Sequence, residues 1–74
     1  MNGIENRAAF ARILMDMIER DRYPSPAQMD ILENVIPAPL VPDYMNILLE
    51  KVMDDRFPSI PMLRRIMKVA NSMR

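Results

Sequence analysis

Residues 17–25 read MIERDRYPS and residues 51–59 read KVMDDRFPS. Laid over each other at an offset of 34, they place Ile18 on Val52, Asp21 on Asp55, Arg22 on Arg56, Tyr23 on Phe57, Pro24 on Pro58 and Ser25 on Ser59. Upstream, Ile13 and Leu14 fall on Ile47 and Leu48. Downstream, a one-residue insertion in the second copy brings Pro26 onto Pro61 and Ile31 onto Ile66. Self-similarity at this period marks one supersecondary unit used twice. The shared core, Asp-Arg-aromatic-Pro-Ser, is turn chemistry. Pro disfavours helical geometry at the residue before it and so stops the first helix, and Ser caps the next. The chain is therefore expected to be all-α, with four helices forming two helical hairpins, in a single domain over residues 1–74. Repeat one covers 4–36, a Pro-rich linker 37–42 and repeat two 43–74.

Apolar spacing supports the same reading. In the first helix Asn2 is a candidate N-cap with Glu5 at the capping-box position, and Ile4, Ala8, Ala11, Met15 and Ile18 follow a helical period. Phe10, Ile13, Leu14 and Met17 widen that stripe beyond what one core face needs. Ser25, Pro26 and Gln28 are expected at N-cap, N1 and N3 of a second helix running to about Val35. Ile36-Pro37-Ala38-Pro39-Leu40-Val41-Pro42 is expected as an extended strap of polyproline type, with Asp43 as the next N-cap. Helix four is expected from about Pro61 to Ser72, with Leu63, Ile66, Met67, Ala70 and Met73 inward and Arg64, Arg65, Lys68 and Asn71 outward. In both turns the Arg complements the helix end before it. The aromatic is expected to plug the gap between two helices, and the Asp to sit by the following helix start or pair with an Arg.

Composition narrows the chemistry. The 74 residues contain no Cys and no His, which excludes disulfides, zinc fingers, thiolate nucleophiles and imidazole bases. Gly3 is the one glycine, so there is no glycine-rich phosphate loop. The remaining hydroxyls and amines are Ser25, Ser59, Ser72, Tyr23, Tyr44, Lys51 and Lys68. Two of these serines have capping roles, and a lone Lys needs burial to act as a base. Asp54-Asp55 reads as helix-end charge. The expectation is a non-enzymatic protein with no metal and no cofactor. No apolar run approaches the roughly 18 residues of a membrane span, and the first residues lack the apolar core of a signal peptide. A cytoplasmic location follows as an expectation.

Two functional readings remain. Half of the residues are hydrophobic, including nine Met, and Met is favoured on adaptable binding surfaces. The preferred reading is a protein–protein interaction module, or a homodimer, acting through an apolar Met-containing helical face. Its candidate partner-binding residues are Phe10, Leu14, Met17, Met45 and Met53. The alternative rests on charge. Ten basic and ten acidic residues cancel, but past Asp55 the charged residues are Arg56, Arg64, Arg65, Lys68 and Arg74. A helix-turn-helix-like protein could set Arg64, Arg65 and Lys68 against nucleic acid.

The segment Phe10-Ala11-x-x-Leu14, followed by Arg22-Tyr23-Pro24-Ser25-Pro26-x-Gln28, resembles a helical hairpin module of small phage and replication-associated proteins. In that module a Phe-Ala…Leu helix leads into a Leu-Ser/Thr-x-x-Gln helix start. The likeness covers about residues 10–32. Tyr23-Pro24 stands where the module usually has Gly-Arg-Leu, Met29 replaces an aromatic after the Gln, and the second copy keeps Ser59 without the Gln. The resemblance implies a small accessory or regulatory protein of phage type and assigns no active site.

Overall fold

The computed structural model describes residues 3–73. Among them are four α-helices: α1 (Gly3–Arg20), α2 (Pro26–Val35), α3 (Val41–Asp54) and α4 (Ile60–Ser72). A single 3-10 turn, Ala38–Leu40, precedes α3. Helix α1 packs on α2 and α3 packs on α4, giving two helical hairpins. The chain divides into two compact units, Met1–Leu40 and Val41–Arg74. The Asn2 cap expected from the sequence lies outside the described residues.

In the first unit Ala11, Leu14, Met15 and Ile18 of α1 are buried, as are Met29 and Leu32 of α2. The i, i+3, i+4, i+7 spacing of the α1 set puts these side chains on one face. The widening residues Phe10, Ile13 and Met17 lie exposed beside that face, while Leu14 goes inside. In the second unit Tyr44, Met45, Ile47 and Leu48 of α3 and Val69 of α4 are buried.

The two turns are built alike. The helix ends before them differ by one residue, the Asp21 N–H donating to the Met17 carbonyl four residues back and the Asp55 N–H to the Val52 carbonyl three residues back, both at 3.2 Å. Asp21 Oδ1 then accepts the Tyr23 N–H at 3.1 Å, and Asp55 Oδ1 accepts the Phe57 N–H at 3.1 Å. Each Asp thus makes an Asx-turn with the backbone two residues on, rather than pairing with an Arg or sitting at the next helix start. This bends the chain so that the aromatic points away from the hairpin. Tyr23 is 69% and Phe57 81% exposed, so neither plugs the gap between helices. The guanidinium of Arg22 lies 5.6 Å from the Tyr23 ring centre, and that of Arg56 5.6 Å from Phe57.

Both serines stand at the N-cap with extended backbone. Their carbonyls accept the Met29 and Leu63 N–H groups at 3.1 Å each. The side chains differ. Ser59 Oγ accepts the Met62 N–H at 3.2 Å, whereas Ser25 makes no side-chain cap bond.

Four further expectations are corrected. The Pro-rich linker is not an extended strap: Leu40 N–H donates to the Pro37 carbonyl at 2.9 Å, closing the 3-10 turn. Proline's fixed φ suits a 3-10 turn or a first helical turn as well as a polyproline segment. Helix α3 accordingly starts at Val41, takes Pro42 into its first turn, and carries Asp43 inside that turn rather than at the cap. There the carboxylate still meets the positive end of the helix dipole. The repeat also continues at an offset of 34 past the turn, without the expected insertion. Gln28 and Met62 are both half-buried, Leu32 and Ile66 both turn inward, and so do Val35 and Val69, whereas Ile31 is exposed.

The fourth correction concerns α4. Its inward side is Met62, Ile66 and Val69, not Leu63, Met67, Ala70 and Met73, which are exposed. This helix carries apolar residues over a wide arc. The hairpin buries one edge of it and leaves the other edge to solvent.

Candidate interaction surface

Around the second turn the chain leaves large apolar side chains uncovered in close succession. Met53, in the last turn of α3, is 83% exposed; Phe57 follows in the turn and Ile60 opens α4, both exposed. Leu63 and the 59% exposed Met67 continue the series. Ile60, Leu63 and Met67 stand at i, i+3 and i+7, so they form one stripe along α4. It lies on the side of the helix away from the buried Val69. A length of seven residues at about 1.5 Å rise makes the stripe about 10 Å long.

Charge borders this stripe on one side. Arg64 and Lys68 are exposed and sit one helical turn apart, each one residue past a position of the apolar stripe or its neighbour. Arg65 differs from them. It is half-buried and engaged in an interaction. The three cations expected to act together are thus split: Arg64 and Lys68 share a free face of α4, and Arg65 turns toward the hairpin side.

The sequence-derived partner candidates separate in the same way. Phe10, Met17 and Met53 are exposed, while Leu14 and Met45 are buried. On α1, Phe10, Ile13 and Met17 form a second exposed apolar stripe at i, i+3 and i+7. Nearby, Asp16 and Arg20 pair at 3.0 Å on the surface, an arrangement worth little in stability. Phe57, Ile60, Leu63 and Met67 were absent from the sequence-derived candidates. The signal that could have found Phe57 is the repeated Asp two residues before it, which turns the aromatic outward.

The first unit also holds a cavity of about 260 Å³ lined by Arg7, Ile36, Pro37 and Ala38. That is below the usual range for small-molecule pockets, about 300–1,000 Å³. Among the described residues no three acidic side chains are grouped to hold a metal ion. No described helix is long and apolar enough to cross a membrane. The chemistry open to the exposed surface is burial of apolar area against another apolar surface, with the charges of Arg64 and Lys68 beside it. Compared with known proteins, the chain matches no family model, no curated protein and no solved structure.

Proposed function

We propose that this chain is a small non-enzymatic protein–protein interaction module, an accessory or inhibitory factor of phage type, that engages its partner through the apolar, Met-bearing surface around the second turn. The observation that carries the reading is the run of exposed large apolar side chains from Met53 to Met67. Isolated apolar residues on a surface are ordinary, but five large ones exposed within fifteen residues, three of them on one stripe of α4, support a binding face. The phage-type assignment draws its support from the resemblance of residues 10–32. Phe10, Ile13 and Met17 offer a separate surface on which a second copy could dock.

The test is capture from cells of the source organism, with mass spectrometry of what is retained. The parent chain should hold a partner that a Phe57→Ser/Met67→Asp variant loses. A second reading, nucleic-acid binding, is favoured by the exposure of Arg64 and Lys68 in a segment without acidic residues. It requires binding of DNA or RNA that falls steeply with salt and that disappears when Arg64, Arg65 and Lys68 are all changed to Glu. That outcome would replace the first reading.

A further inference from the structure

We infer that the exposed face of α4 receives an acidic amphipathic helix of a protein partner, its apolar side laid along Ile60, Leu63 and Met67 and its carboxylates set beside Arg64 and Lys68. The inference rests on the interaction reading above and adds the class of the partner. Apolar area alone would accept many surfaces, so the bordering charges decide among them. Every acidic residue of the chain lies at or before Asp55, and the residues after it carry cations only. Arg64 and Lys68 are the exposed cations beside the stripe. Arg56 adds a third cation at the turn, its guanidinium stacked 5.6 Å from the exposed Phe57 ring. A straight row at i, i+3 and i+7 is the ridge that another helix packs against, and partners of this kind present anchors at the same spacing.

The other occupants fit less well. A second copy docked α4 to α4 would bring Arg64 and Lys68 against the same residues, and like charges at an interface disfavour the pairing. A phosphate backbone would satisfy the two cations but leave Ile60, Leu63 and Met67 facing hydrated phosphates. An anionic lipid surface would need a longer apolar face: α4 spends Met62, Ile66 and Val69 on its own hairpin, which leaves a narrow stripe and few cations for the interface.

The experiment uses the full chain and three synthetic helical peptides of about 18 residues, long enough to hold helix on binding. All three share one Leu stripe, and the flanking positions are Glu, Gln or Lys. Affinities are measured by calorimetry. The Glu peptide should bind at least about tenfold more tightly than the Gln peptide, and the Lys peptide most weakly, with the spread narrowing from about 50 mM to about 500 mM salt. Met67→Asp should weaken the Glu peptide by about tenfold or more. Arg64→Glu/Lys68→Glu should reverse the preference toward the Lys peptide. These side chains are exposed, and circular dichroism establishes that each variant keeps its helix content.

Equal affinities for the three peptides, lost in Met67→Asp, would overturn the acidic-partner inference and leave the interaction reading standing. No peptide binding, or binding indifferent to Met67→Asp, would overturn both. Tighter binding to phosphatidylglycerol vesicles or to duplex DNA than to the Glu peptide would overturn the inference in favour of lipid or nucleic acid. Self-association in sedimentation that Met67→Asp abolishes would assign the face to a second copy.

Discussion

Replacing Ser59 by Ala removes the acceptor that the Met62 N–H meets at 3.2 Å and leaves one amide in the first turn of α4 to find water instead. Helix-capping serines of this kind contribute about 1 kcal/mol, within a range of about 0.5–2 kcal/mol. The bond is solvent-exposed, so the centre of that range is the expected loss. The repeat supplies its own control. Ser25 occupies the same place in the first unit, with the same extended backbone and the same carbonyl bond one turn on, but its side chain caps nothing. Ser25→Ala should therefore cost only a few tenths of a kcal/mol, although the two serines look equivalent in the sequence. For a chain of this size about 1 kcal/mol moves Tm by about 4–8 °C. Urea titration followed by helical circular dichroism measures both variants against the parent, and unchanged m-values establish that the difference lies in stability. A Ser59→Asp variant keeps an acceptor and should stay close to the parent. A loss for Ser25→Ala equal to or greater than that for Ser59→Ala would refute the cap geometry.

Other consequences follow from burial and turn chemistry. Leu48 and Leu32 are fully buried, and Leu→Ala at either should cost about 2–5 kcal/mol in denaturant unfolding. Asp55→Ala removes the acceptor for the Phe57 N–H and should cost about 0.5–1.5 kcal/mol in the same assay. Phe57→Ser should change stability by no more than about 0.5 kcal/mol, because the ring stands in solvent. An aromatic that plugged two helices would cost several times that. Far-UV circular dichroism of the parent should report a mainly helical chain.

The duplicated turn was legible because its residues act locally. Pro stops a helix and Ser starts one, whatever the rest of the chain does; the Asp, expected at the next helix start or on an Arg, instead bonds the backbone two residues on. Helix number and the boundaries of α2 and α4 followed to within a residue. The inward side of α1 was also legible, since Ala11, Met15 and Ile18 form a stripe with polar residues opposite. What could not be read was which edge of a wide apolar arc goes inside. In α4, Met62-Ile66-Val69 and Ile60-Leu63-Met67 are both apolar at helical spacing. Only packing against α3 selects the first and exposes the second. For the same reason Leu14 and Met45, named as surface candidates, are buried, and Met67, expected inside, is not. The linker misled for a different reason. Proline fixes φ but leaves ψ open, so a Pro-rich run is compatible with a strap and with the 3-10 turn that forms.

The central claim is that the chain works through the exposed apolar surface at the second turn, and its methionines report on that surface. Methyl-labelled methionine gives NMR signals from Met53 and Met67, which are exposed, and from Met29, which is only 3% exposed in the first unit. Titration of the captured partner into the labelled chain should shift or broaden the Met53 and Met67 methyls at low molar ratios and leave Met29 in place. Shifts at Met17 on α1 with Met53 and Met67 unmoved would contradict the account and move the binding face to the first unit.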